Sequence, residues 1–180
     1  MPTLRRFLLV AHIPILLGWI VLAWVVYDRL PERIPTHFDA SGTPDGYMER
    51  SIASWFLLPL VGTVSALTIA FSSMYVGRNP NLMNVPNKQA FLALNDVQRQ
   101  PMVEMMNTLM AAISVGTLLF LAILHFDSWR IISGSSRKLS LVSFTALGVL
   151  LFVSIVGGIV FTMRFRRMIR EASGGEARRA

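Results

Sequence analysis

A histidine and two aspartates with the potential to bind a ligand lie in a polar stretch between the first two apolar segments. If Thr36–Asp39 is extended, His37 and Asp39 point to the same side of the strand. The turn sequence Pro44-Asp45-Gly46 is suited to folding Asp45 back towards them. An imidazole and two carboxylates suit a divalent cation or a cationic ligand. The alternative is that these groups bond the loop's own backbone, and the spacing is not diagnostic of a metal.

The loop that carries these residues is expected to be ordered. Pro31 and Pro35 favour extended backbone, because a residue that precedes proline avoids the helical region. Ser41-Gly42 and Pro44-Asp45-Gly46 are turn sequences, in which proline fixes φ and glycine tolerates left-handed conformations. The sequence therefore predicts a short loop with one or two tight turns, on an aromatic floor of Trp24 and Trp55.

Other kinds of chemistry find little support. The chain has no cysteine, which excludes disulfides, thiolate metal sites and cysteine nucleophiles. His-Glu-x-x-His, Gly-x-Ser-x-Gly and phosphate-binding glycine loops are absent. His12, inside the first apolar segment, is a functional candidate by position, but the preferred interpretation is a neutral ring bonded to a backbone carbonyl. His125 is expected to pair with Asp127. We assign no catalytic residue, metal or cofactor.

The elements that position these residues are apolar segments long enough to cross a bilayer. The sequence is 53% hydrophobic and 15% charged, whereas soluble domains are about 25% charged. A helix of about 20 apolar residues spans the hydrocarbon core, and four segments satisfy this requirement. Their approximate bounds are 7–27, 53–76, 102–126 and 139–163. The prediction is a single transmembrane domain over residues 1–180, an all-α four-transmembrane-helix bundle with an external loop 28–52, a cytoplasmic loop 77–101 and a basic cytoplasmic tail 164–180.

The orientation follows from the distribution of charge. The N-terminus, the middle loop and the C-terminal tail together carry the whole formal net charge of +7, and the other two loops are neutral overall. The positive-inside rule makes the charged side cytoplasmic. Both termini of this cell-membrane protein are therefore expected in the cytoplasm. The cluster at Arg164–Arg170 is expected to bind anionic lipid headgroups rather than nucleic acid.

Small residues predict how the helices meet, because close packing joins helices in lipid. Three stripes recur at helical spacing: Gly62, Ala66 and Ala70; Thr108, Ala112 and Gly116; and Ser154, Gly157 and Gly158. We expect a compact intramolecular bundle, with a homodimer seam as the alternative. Pro14 and Pro59 are expected to bend their helices.

The middle loop is predicted to contain a short interfacial helix. It should begin near Lys88, with Asn87 as N-cap, and end before Pro101. Apolar residues at helical spacing would place one face of this helix on lipid. They are Ala90, Phe91, Leu94 and Val97.

Two stretches of the sequence resemble the SdpI-like bacterial membrane family, also described as domain of unknown function 1648. The longer stretch reads Pro31-x-x-Ile34-Pro35-x-His37-Phe38-x-x-x-Gly42-x-Pro44-Asp45-Gly46. The second, in the cytoplasmic loop, contains Asn84, Pro86, Asn87 and Lys88, but Ala90-Phe91 replaces the Tyr-Trp pair of some members. The resemblance implies immunity against a secreted toxic peptide, and signalling through a repressor held at the membrane. This chain is shorter than the longer immunity proteins.

The resulting hypothesis is a non-enzymatic membrane protein of sensor or immunity type. Its external loop would recognise a peptide or small ligand, and its cytoplasmic loop or tail would contact a protein partner. The ligand-binding residues would be His37, Phe38, Asp39, Gly42, Pro44, Asp45 and Gly46. Two alternatives stay open: a membrane-embedded metal-dependent enzyme that uses the histidine–aspartate cluster, and an accessory subunit of a larger membrane complex. A homo-oligomer is compatible with either.

Overall fold

The protein is a helical bundle with one small sheet. A computed structural model describes the backbone of residues 2–176 and the side chains of residues 3–72, 75 and 78–172. Residues 177–180 of the predicted tail, with Arg178 and Arg179, lie outside the described residues. The elements are α1 (Pro2–Tyr27), β1 (Arg33–Phe38), β2 (Pro44–Glu49), α2 (Ile52–Trp55), α3 (Leu57–Arg78), α4 (Lys88–Ala93), α5 (Asp96–Ile132) and α6 (Leu141–Glu176), with a 3-10 turn at Pro80–Leu82.

Among the residues that the structure describes, three helices are long and apolar enough to cross a membrane. They occupy Thr3–Tyr27, Asp96–Ile132 and Leu141–Ala172. The apolar stretch described in α3, Leu57–Ser72, is shorter. The lipid environment predicted from composition is therefore supported for three helices, and α3 is an apolar helix packed among them.

Helix α5 lies at the centre of the bundle, packed against α1, α3 and α6. Part of each predicted small-residue stripe lies at these contacts, although Gly158 of the third stripe faces open space. A Cβ built on Gly62 of α3 would lie 2.8 Å from the Trp19 ring of α1, and one on Gly116 of α5 would lie 3.0 Å from Leu150 of α6. These glycines let neighbouring helices approach closely, as expected for an intramolecular bundle.

The predicted second span is divided in two. The helix breaks at Phe56, between α2 and α3. Pro59 explains the break, because its ring collides with the carbonyl four residues earlier, that of Trp55, and it has no N–H to donate. Pro14, in contrast, lies within a continuous α1.

The loop 28–52 contains a β-hairpin, which the all-α prediction lacked. Strands β1 and β2 pair antiparallel, with Arg33 opposite Glu49 and Phe38 opposite Pro44. The prolines that favour extended backbone also remove backbone donors, which a two-stranded sheet tolerates because each strand has a free edge. The extended backbone near Pro31 and Pro35 was predicted, but the pairing of two strands was not. Pro44-Asp45-Gly46, which was predicted as a turn, instead begins β2.

The middle loop contains the predicted short helix within the expected bounds, but the start of the helix is not capped as predicted. Helix α4 begins at Lys88 after Asn87, as expected, but Asn87 has φ 54° and its side chain makes no capping bond. Helix α4 ends at Ala93, and α5 then begins at Asp96 and continues through Pro101. A reciprocal capping box between Asn95 and Gln98 explains this early start.

Helix α4 packs into the protein rather than on lipid, which corrects the predicted apolar face. Phe91 is fully buried and Leu94 is nearly so, in a cluster that includes Phe165 and Ile169 of α6. Val97, on the same predicted face, is 79% exposed. The segment predicted as a basic tail from residue 164 is, as far as Glu176, a continuation of α6, and its apolar residues Phe165 and Ile169 are buried in the cluster with Phe91.

Candidate functional site

The hairpin β1–β2 carries the predicted ligand residues, and its irregular register decides where they point. His37 pairs with Gly46, between the pairs Pro35–Tyr47 and Phe38–Pro44. This register leaves one extra residue in each strand, Thr36 in β1 and Asp45 in β2. Bulges of this kind redirect side chains from the face that strict alternation would give them.

The irregular register brings His37 and Asp45 together. Nδ1 of His37 lies 2.5 Å from Oδ1 of Asp45. Both side chains face solvent, with 72% and 47% of their surfaces exposed. An exposed pair of this kind contributes at most about 1 kcal/mol to stability, so the hairpin does not depend on it. The pair therefore presents an imidazole and a carboxylate to anything that approaches this surface.

Asp39 bonds its own turn instead of joining the pair. One oxygen of its carboxylate accepts hydrogen bonds from the backbone N–H and the hydroxyl of Ser41, at 2.8 and 2.7 Å, and from the N–H of Thr43 at 2.9 Å. These donors, the Ser41 hydroxyl above all, lower the pKa of Asp39 below its ordinary value. Asp39 therefore follows the alternative prediction, in which these side chains bond the backbone of their own loop.

The three predicted groups do not assemble into a metal site. Among the residues that the structure describes, no three histidine, cysteine or acidic side chains are grouped so that they could hold a metal ion. The enzyme alternative needed His37, Asp39 and Asp45 to act on one centre. With Asp39 committed to the turn, the remaining pair suits hydrogen bonding to a ligand better than ligation of a metal.

Gly42 fastens the hairpin tip to the helical bundle. Its φ is +80°, a conformation that favours glycine, and its carbonyl accepts a bond of 2.9 Å from the N–H of Leu139. A Cβ at this position would approach Leu139 and Phe144 to 3.0 Å. Since Leu139 lies between α5 and α6, this contact joins the two loops on the same end of the bundle.

The base of the hairpin rests on one of the two predicted aromatic residues. Ile34 is buried in a cluster with Trp55, whose indole N–H donates to the carbonyl of Ala23 at 2.9 Å. Trp24 is 63% exposed and packs against Phe56 at its edge, so it is not part of this floor. The predicted role is therefore correct for Trp55 and wrong for Trp24.

The other predicted hairpin residues surround the exposed pair. Gly46 is half-buried directly below His37, where a side chain would collide with it. Phe38 and Pro44 are half-buried and close the strand pairing next to the turn. These residues shape and support the surface that presents His37 and Asp45 to solvent.

His125 has a different partner from the one predicted. Its Nδ1 accepts a hydrogen bond of 2.6 Å from the indole N–H of Trp19, which joins α5 to α1. The ring is buried and stacks at a tilt on Trp55, with ring centroids 4.0 Å apart. The side chain of Asp127 instead accepts from the N–H of Ser140 at 2.6 Å, at the start of α6.

This buried Trp19–His125 pair was missed because the two residues are 106 positions apart in the sequence. The sequence feature that could have indicated this bond is that both apolar segments contain a polar aromatic residue towards the same end of the bundle. His12, in contrast, bonds the carbonyl of Leu8 at 2.9 Å as predicted, and its other nitrogen bonds the Ser114 hydroxyl at 2.8 Å.

The middle-loop motif alternates between buried and exposed positions. Asn84, Asn87 and Lys88 are exposed and Pro86 is half-buried, whereas the intervening Val85 is buried in the cluster with Phe165. The polar residues of the motif are therefore presented at the surface of the loop by an apolar anchor. They lie at the opposite end of the bundle from the hairpin, since α3 runs from the hairpin to this loop.

One comparison with known proteins gives a match. Residues 13–63 match the family described as Domain of unknown function (DUF1648). The match covers most of α1, the hairpin and the beginning of α3. No curated protein and no solved structure matches the chain. The similarity thus falls on the part of the chain that contains the candidate site.

Proposed function

We propose that the chain is a non-enzymatic membrane protein of sensor or immunity type, whose hairpin recognises a peptide or small ligand outside the cell. The observation that supports this most is the exposed His37–Asp45 pair on a hairpin held firmly by Gly42 and Ile34. A rigid surface loses little entropy on binding, and exposed polar groups on an ordered loop favour recognition.

The topology in this proposal has four spans with both termini in the cytoplasm, as the charge distribution predicts. Helix α3 is the fourth span in addition to the three longer apolar helices. With its 22 residues it has the length that a bilayer requires, at about 1.5 Å per residue. The hairpin and the α5–α6 loop then lie outside, and the middle loop lies inside.

The proposed cytoplasmic partner is a protein that contacts the middle loop. Its exposed residues Asn84, Asn87 and Lys88 are fixed in place by the buried cluster beneath them. A change at the hairpin would reach this surface through α3, which connects the two. The SdpI-like resemblance supports such a signalling role, through a likeness in the hairpin and in this loop.

The experiment that tests the proposal is a survival assay. Bacteria that lack the protein are complemented with wild type, His37→Ala, Asp45→Asn or Met48→Ala and challenged with culture fluid that contains secreted toxic peptides. Met48 is a half-exposed residue of the same hairpin and serves as the matched control. Immunoblots compare the amount of each variant with that of wild type, and thermal unfolding of the purified proteins compares their stability.

Wild type and Met48→Ala should restore survival, and the two site variants should fail to restore it at normal protein levels. Recognition by the His37–Asp45 pair is contradicted if His37→Ala behaves like wild type, or if it fails only because the protein unfolds.

A further inference from the structure

A cavity of about 460 Å³ lies beneath the hairpin, between the neighbouring ends of α3, α5 and α6. Its volume is in the range of small-molecule sites. The walls away from the hairpin are mostly apolar and include Leu58, Leu124 and Leu147. Thr36 and His37 of β1 lie on the hairpin side. The polarity of the cavity therefore changes along its length. This gradient is complementary to an amphiphile whose polar end lies at the hairpin.

His125 lines this cavity and has an unused donor. Because Nδ1 accepts the Trp19 indole N–H, the neutral ring carries its proton on Nε2. Nε2 is buried and has no hydrogen-bond partner among the residues that the structure describes. A buried donor without an acceptor is costly, so this position favours a ligand oxygen. The same tautomer makes Nε2 unsuitable as a metal ligand.

The borders of the cavity are apolar side chains on the outside of the bundle. Leu57 of α3 is 47% exposed, and Phe144 and Leu147 of α6 are 39% and 37% exposed. Exposed apolar residues on membrane-spanning helices contact lipid, so lipid chains are the molecules nearest to the cavity.

We propose that the cavity binds one acyl chain of a membrane phospholipid, whose ester carbonyl accepts a hydrogen bond from Nε2–H of His125. The chain lies along the apolar walls, and the glycerol end lies under the hairpin. His37 borders this cavity on the hairpin side, whereas Asp45 lies outside its lining, so a change at Asp45 can impair recognition without altering the lipid site.

Occupation of the cavity is tested by photo-crosslinking in nanodiscs, with a phospholipid that carries a diazirine on its acyl chain. Leu147→Trp should fill the cavity and reduce adducts on the peptides with Leu58 and Leu124 at least fivefold. The control is Leu151→Trp, one turn further along α6 at an exposed position outside the cavity, which should leave these adducts unchanged. Equal labelling in both variants would mean that the lipid lies only on the outer surface, and the proposal would be wrong.

The hydrogen bond is tested with an ester-linked probe and its ether-linked analogue, which lacks the carbonyl. Wild type should favour the ester probe about fivefold, the effect expected for one hydrogen bond. The double variant Trp19→Phe/His125→Phe removes donor and acceptor together, so that neither is left unpaired, and it should lose this preference. A preference that is absent from wild type, or retained in the double variant, excludes His125 as the donor.

Two further labelling experiments identify the class of lipid that binds and distinguish lipid binding from ligand recognition by the hairpin. Free fatty acid of the same chain length should not displace the phospholipid probe at equal concentration, and displacement would overturn the choice of a phospholipid. Asp45→Asn, which lies outside the cavity lining, should retain full labelling even where it fails in the survival assay. Loss of labelling in this variant would show that lipid binding depends on the His37–Asp45 pair, which would contradict the proposal.

Discussion

Gly46 lies directly opposite His37 in the hairpin, and a Cβ built on Gly46 would come within 2.7 Å of the Cβ of His37. Real Cβ atoms do not approach so closely, so any side chain at position 46 must displace the histidine. Glycine is required here because of this neighbour and not because of a positive φ. The geometry of the His37–Asp45 pair therefore depends on an adjacent residue that has no side chain.

We predict that Gly46→Ala separates His37 from Asp45 and lowers the free energy of unfolding by about 1–3 kcal/mol, the usual cost of overpacking. Chemical unfolding of the purified protein measures the stability, and NMR of the histidine ring measures the separation. Gly18→Ala is the control, because a Cβ there has no atom within 4 Å, and it should be neutral or slightly stabilising. Equal stability of the two variants would show that the strands adjust freely.

The topology gives a second prediction, and the absence of cysteine in the natural sequence makes it simple to test. A single cysteine at Ser41 in the hairpin turn should react with a membrane-impermeant maleimide in intact cells. One at Asn84, in the exposed part of the middle loop, should react only after the cells are opened. Reversed labelling would overturn the orientation that the charge distribution predicts.

The local features of this structure could be predicted from the sequence more readily than its long-range contacts. Aspartate and glycine specify the turn from Asp39 to Thr43, because their effects act within a few residues. The His37–Asp45 approach was also predictable in outline, since one turn links the two residues. The Trp19–His125 bond was not, because nothing in either helix identifies the other as its partner.

The contacts between the middle loop and the end of α6 were also not predictable from the sequence. The arginines after residue 163 indicate the end of a span, yet α6 continues because Phe165 and Ile169, four residues apart, pack against α4. This apolar stripe is present in the sequence between the arginines. Its significance depends on Phe91, which lies in another element, and on burial that charge counting does not detect.

We therefore predict that Phe91→Ala destabilises the middle loop. Phe91 is fully buried and its ring centroid lies 5.4 Å from that of Phe165. Loss of a buried phenylalanine costs about 3–5 kcal/mol. Limited proteolysis should cleave the 80–95 region of this variant much faster than in wild type. Val97→Ala, at a 79% exposed position, should be cleaved like wild type, and similar resistance of Phe91→Ala would mean that the cluster is not required.

The last prediction concerns the pH dependence of the hairpin turn. Because hydrogen bonds, first of all from the Ser41 hydroxyl, lower the pKa of Asp39 in the folded protein, its ionised form stabilises the turn. This stabilisation is present above the unfolded pKa of about 4 and is lost as the pH falls through the lower folded value. The amide protons of Ser41 and Thr43, which donate to this carboxylate, should therefore shift in NMR spectra with a midpoint below about pH 4. Asp39→Asn should abolish the transition, while Asp45→Asn should retain it. A midpoint at or above the ordinary aspartate value would show that the carboxylate does not hold the turn.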